Sequence, residues 1–143
     1  MSSGHRGVFA VKLVVVTPEA EKISRDVDGV TLPGGKGEVG ILPGHLPLMS
    51  TLDVGILRYD SGGSESKIAV NRGFFEVIDD EIRVLTETCE TPEEVDQGRA
   101  EAALERARAR LDSAAKGADV DMNRAMTAVR RATARLALVK TRR

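Results

Sequence analysis

The chain contains no tryptophan, three phenylalanines and one tyrosine in 143 residues. Its core must therefore come from Val, Ile and Leu. A nucleic-acid platform built on exposed aromatics is disfavoured for the same reason. Cys89 is the only cysteine. That excludes an internal disulfide and suits a reducing compartment. A lone cysteine near a domain junction reads as inert rather than catalytic. His5 and His45 are the only histidines. No HxxxH or HxxE spacing exists, and the ligands for a zinc site do not cluster. Long apolar runs are missing too. Val8 to Val16 is interrupted by Lys12 and is too short to span a bilayer. Met1 to Gly7 is polar and lacks the apolar core of a secretory leader. Membrane association is expected only through partners.

Two further absences bear on catalysis. Gly34-Gly35-Lys36-Gly37 is followed by Glu38 and a strand pattern. A phosphate loop needs a Ser or Thr there and then a helix. The stretch reads as a surface turn. Sequence order leaves a Ser-His-Asp arrangement open, but Ser50 and Ser61 lack a nucleophile-elbow context.

The net charge is −1, from 21 basic and 22 acidic residues. It is unevenly spread. Acidic residues lead before Thr91, and arginine and lysine dominate after it. A basic tail seeks an acidic partner, either nucleic acid or an acidic protein surface.

The hydrophobic period changes at the same point. The length fits one domain, or a small domain with an appendage. Residues 8–90 read as short strands: Val11 to Val16, Gly55 to Tyr59, Lys67 to Val70, Phe74 to Ile78 and Ile82 to Leu85. Turn chemistry separates them at Asp60-Ser61-Gly62-Gly63, Asn71-Arg72-Gly73 and Asp79-Asp80. No helical period intervenes, which argues against a βαβ fold. Thr91-Pro92-Glu93-Glu94 then has the form of a capping box with proline at the first helical position. Ala100, Leu104, Ala107, Leu111 and Ala114 mark one helical seam. Gly117 breaks it, and Asp119 or Asp121 caps a second helix. Met122, Ala125 or Met126, Val129, Ala132, Leu136 and Val139 mark the second seam.

The expected fold is α+β. Residues 1–90 form an antiparallel β-sandwich or flattened barrel, and residues 91–143 an antiparallel two-helix hairpin. The alanine-rich seam buries little area, so the two helices alone are marginal. The hairpin is expected to dock on the sandwich or on a partner, and to exchange between them.

The most specific feature is the run from Gly37 to Met49, GEVGILPGHLPLM. Its glycines free the backbone, while Pro43 and Pro47 fix two φ angles and push Leu42 and Leu46 toward extended conformations. It reads as a strand, a rigid corner and a second strand, built to touch something. This run resembles the signature of the epsilon subunit of rotary F-type ATP synthases. Asn71 to Val77 with Ile82 to Leu85 is similar to that family's glycine-containing hairpin. Asp119-Val120-Asp121, opening a helix rich in alanine and arginine, is similar to its second C-terminal helix. The resemblance covers roughly residues 8 to 140.

The resemblance implies a non-catalytic rotor subunit that couples proton translocation to ATP synthesis. Its sandwich would bind the gamma subunit and the c-ring. Glu38 would face the polar loops of the c-ring, His45 would lie near gamma, and Pro43 would belong to the same interface. The hairpin, extended along gamma, would contact the alpha/beta catalytic subunits, meet acidic segments of the catalytic beta subunit and resist ATP hydrolysis. The location would be the cytoplasmic face of the bacterial inner membrane, peripheral and held through the complex.

Val95-Asp96-Gln97-Gly98-Arg99-Ala100 also resembles the [I/L]DxxRA motif that binds ATP in some bacterial epsilon subunits. The resemblance carries Glu90, Asp96, Arg99, Arg106, Arg131 and Arg135 into that site. No cofactor is implied beyond regulatory ATP, bound without hydrolysis. Four guanidiniums from two helices are suited to a triphosphate. Glu90 and Asp96 would accept from the adenine amino group or orient an arginine. Read without the resemblance, Asp96 and Arg99 are an ordinary i,i+3 pair, and the arginines a solvated face. A free-standing binding module whose basic hairpin takes nucleic acid or an acidic protein stays open at this point, as does a small hydrolase.

Overall fold

The structure is a computed structural model and describes residues 10–142. Met1 to Gly7, read above as lacking a leader, and His5 lie outside the described residues. The chain divides into two compact units, at Cys89 and Glu90.

The first unit is a β-sheet structure. Its strands are β1 (Val11–Val16), β2 (Glu21–Val27), β3 (Gly29–Gly34), β4 (Gly37–Ile41), β5 (Leu48–Leu52), β6 (Gly55–Ser61), β7 (Ser64–Val70), β8 (Gly73–Ile78) and β9 (Glu81–Thr86); the two-residue β10 (Cys89–Glu90) falls on the division itself. Their order is β10-β7-β6-β3-β5-β8-β9-β1-β2, with β4 attached to β3. The pairings β1–β2, β3–β4, β3–β5, β3–β6, β5–β8, β6–β7 and β8–β9 are antiparallel, whereas β1 pairs with β9 in parallel. The sandwich is therefore not wholly antiparallel, because β1 lies beside a strand some seventy residues later in the chain.

Alternation builds the core. On the three neighbouring strands, Leu13 and Val15, Ile82 and Val84, and Phe75 and Val77 face the same interior and are essentially fully buried. Leu32, Ile41, Leu57 and Ile68 complete it from the other strands. Strands β2 and β3 were not anticipated one by one. Most of β2 is exposed, and β3 contains proline and two glycines, so neither shows a clean period of two.

The Asn71-Arg72-Gly73 turn is held by buried polar groups. The Thr86 hydroxyl accepts from the Asn71 N–H at 2.9 Å, and the Asn71 side chain accepts from the Arg72 N–H at 2.8 Å. A Cβ on Gly73 would collide with the Leu85 carbonyl oxygen. At the other end of this hairpin, Asp79 and Asp80 have φ of 49° and 59°. Two positive φ angles in succession are what a type I′ turn requires.

The second unit is helical. Pro92–Glu94 forms only a short 3-10 turn, and the long helix α1 runs over Gln97–Ala115. The expected start at Thr91 is thus corrected. Glu94 does accept from the Thr91 N–H at 3.0 Å, as in a capping box. Val95 then turns extended and buries itself, which breaks the helix. Asp96 restarts it by accepting from the Arg99 N–H at 3.0 Å. Helix α2 spans Met122–Val139, capped by Asp121 through the Arg124 N–H. The helices pack through alanine: Ala100 and Ala107 of α1 are buried, as are Ala125 and Ala132 of α2. Met122, read as a seam residue, is exposed; of the alternatives Ala125 and Met126 the seam takes Ala125, and Ala134 and Leu138 are buried as well. Arg142 fastens the end of α2 to the start of α1. Its Nε donates to the Pro92 carbonyl at 2.7 Å, and its terminal nitrogen to the Val95 carbonyl.

Candidate functional site

Two places merit attention, one in each unit. In the sheet unit, β4 leads into the corner formed by residues 42–47, which leads into β5. The two strands do not pair with each other along their lengths: β4 pairs with β3, and β5 with β8. The corner between Ile41 and Leu48 therefore has no ladder register of its own. Pro43 and Pro47 stiffen it, and the His45 N–H donates to the Leu42 carbonyl at 3.2 Å. Gly44 sits at φ +83°, in the left-handed region. Leu42 is 67% exposed, Leu46 78% and Met49 72%. Three large apolar side chains thus stand exposed, two on this stiff corner and Met49 just beyond it on β5.

The residues expected to carry this interface are placed as follows. Pro43 and His45 are half-buried, and the His45 Nδ1 lies 2.7 Å from the Leu46 carbonyl oxygen. Glu38 is exposed on β4 and engaged by Arg58, whose two terminal nitrogens donate to its carboxylate at 3.0 and 3.3 Å. The same hydrogen bond holds the Arg58 guanidinium pKa above its ordinary value. An exposed pair of this kind contributes at most about 1 kcal/mol. Glu38 thus reaches a partner only by sharing or leaving Arg58. The sequence reading passed over Leu42, Leu46 and Met49 as contact residues. The signal was present for Leu42 and Leu46, since a residue before proline is disfavoured from a helix.

In the helical unit, Glu90, Glu94, Asp96, Arg99, Arg106 and Arg135 surround a cavity of about 430 Å³, floored by alanines of α1. Three carboxylates and three guanidiniums face one polar space. Five of the six residues expected to bind ATP are here. Arg131 is not among the lining residues, and its Nε is buried without a hydrogen-bond partner. Three of the four expected arginines therefore line this cavity. Asp96 is already engaged as the cap of α1, and Glu90 accepts from the Arg135 Nε at 2.6 Å. Arg106 lines the same space from α1, two turns beyond Arg99. The arrangement can take a polyanion with charge-assisted hydrogen bonds. Among the described residues no group of three or more His, Cys, Asp or Glu is placed to hold a metal ion.

Comparison with known proteins covers both units. Residues 10–92 match the family described as ATP synthase, Delta/Epsilon chain, beta-sandwich domain, and residues 93–140 match its long alpha-helix domain. The chain belongs to the ATP synthase delta/epsilon family. It is 52% identical over 101 residues to the ATP synthase epsilon chain of Carboxydothermus hydrogenoformans, covering 71% of this chain and 75% of that protein. It is 48% identical over 101 residues to ATP synthase epsilon chain 2 of Syntrophotalea carbinolica, covering 71% and 73%. In fold it is similar to a chain of the Euglena gracilis mitochondrial ATP synthase, OSCP/F1/c-ring assembly, at a TM-score of 0.78 and 24% identity over 91% of this chain and 81% of that one. This epsilon chain is therefore an accessory subunit of ATP synthase and not a catalytic one. Among the described residues no helix is long and apolar enough to cross a membrane.

Proposed function

We propose that this epsilon chain works in the central stalk as a rotor element, with the 42–47 corner as its foot. The observation that carries this is the rigid, water-exposed pair Leu42 and Leu46. The foot seats against the gamma subunit and the loops of the c-ring, with Glu38, Pro43 and His45 at its rim. Membrane association is then peripheral and held through the complex, at the cytoplasmic face of the bacterial inner membrane. Co-purification of tagged chain with gamma and c subunits tests the reading. Leu42→Glu with Leu46→Glu should lower recovery at least tenfold, since each charge desolvated at an apolar contact costs more than about 1.4 kcal/mol. Undiminished recovery sinks the foot assignment.

The helical unit is the regulator in this proposal. Extended, its basic face meets acidic segments of the catalytic beta subunit and resists ATP hydrolysis. Compact, it holds ATP in the cavity around Arg99 and Arg106 without hydrolysing it. Truncation after Thr91 should raise the ATPase rate of the assembled complex. An unchanged rate removes the inhibitory role. The nucleic-acid alternative finds no support, because the matches to ATP synthase chains run through both units.

A further inference from the structure

We infer that the Asp80 carboxylate is the fastener that orders the 42–47 corner and so sets how well the foot docks. The docking half of this inference rests on the foot reading above. The ordering half does not.

The corner has no ladder to hold it, since β4 stops pairing at Ile41 and β5 starts at Leu48. The His45 contacts with Leu42 and Leu46 stay inside the segment. A hydrogen bond that leaves it runs from the Gly44 N–H to Asp80 Oδ1, at 2.6 Å. An anionic acceptor makes this a stronger bond than a neutral one.

Both ends of the bond are pre-set. Gly44 is in the left-handed region immediately after a proline, a backbone position that glycine adopts without strain. Asp80 is the second residue of the β8–β9 turn, also at positive φ. Its carbonyl accepts from the Lys12 N–H at 2.8 Å, so the turn is tied to β1. The carboxylate therefore projects from a part of the sheet that cannot drift. A left-handed aspartate is uncommon, and glycine would suit that turn position better. Asp80 accepts an unfavourable backbone position and supplies the acceptor the corner needs. This makes it a positioning residue, acting through Gly44 rather than by touching a partner.

The test exploits the same turn preference. Asp80→Gly removes the acceptor while giving the turn its favoured residue, so damage to the hairpin cannot explain a loss. In the full chain, amide exchange at Gly44 should accelerate about tenfold or more, the worth of one hydrogen bond to a charged group. Recovery with the stalk subunits should fall by a similar factor. Asp80→Asn keeps an acceptor oxygen and tolerates positive φ, and should retain most of both. Unchanged Gly44 exchange in Asp80→Gly overturns the inference, as does weaker docking without faster exchange. Failure of the foot reading looks different: Leu42→Glu with Leu46→Glu would dock normally while Gly44 exchange still depended on Asp80.

Discussion

Gly73→Ala should destabilise the sheet unit by about 3 kcal/mol or more, beyond the usual range for overpacking. The added Cβ meets the Leu85 carbonyl oxygen, which belongs to the β8–β9 ladder and cannot rotate away as a side chain would. Relief requires β8 and β9 to separate at their open end. Thr86, whose hydroxyl bonds the Asn71 backbone, sits opposite Gly73 and would be dragged along. The denaturation midpoint followed by far-UV circular dichroism measures the effect. Gly40→Ala is the control, because a Cβ there meets nothing within 4 Å and its φ lies outside the left-handed range. It should be near neutral, with any change set by the unfolded chain. Equal midpoints for Gly73→Ala and the parent would mean that the hairpin has slack which its close approach at Leu85 denies.

That hairpin was legible in the sequence because its chemistry is local. Asn71, Gly73 and the Asp79-Asp80 pair each dictate their own turn within a few residues. The parallel pairing of β1 with β9 was not legible, since nothing in Val11 to Val16 names a partner so far along the chain. The helical start was misplaced for a different reason. Two capping signals follow one another, at Thr91 and at Asp96, and burial of Val95 decides for the second. At the foot, glycine and proline spacing announced the corner. Its tether to Asp80 and the occupation of Glu38 by Arg58 join strands distant in sequence, and only the fold brings them together. Arg131 shows the limit of spacing arguments on helices. It lies one turn before Arg135 on the same side of α2, yet only Arg135 reaches the cavity.

The cavity yields the sharpest solution experiment. ATP added to the full chain should raise the thermal midpoint of the helical unit, by the equivalent of about 2.7 kcal/mol at a hundredfold excess over Kd. Arg106→Ala should abolish the shift. Among the lining arginines it is the cleanest choice, because removing Arg135 would also strand the Glu90 carboxylate. Arg131→Ala should leave affinity within a factor of about three, as expected for a residue outside the cavity lining. Glu90→Gln should tighten binding. Glu90 now holds Arg135 at 2.6 Å, so a phosphate must compete with a carboxylate for that guanidinium. Glutamine keeps an acceptor oxygen for the base and gives up the competing charge. Binding that is unaffected by Arg106→Ala moves the nucleotide elsewhere. Binding weakened by Glu90→Gln means that this carboxylate serves the ligand directly, and that its bond to Arg135 holds both residues ready for ATP.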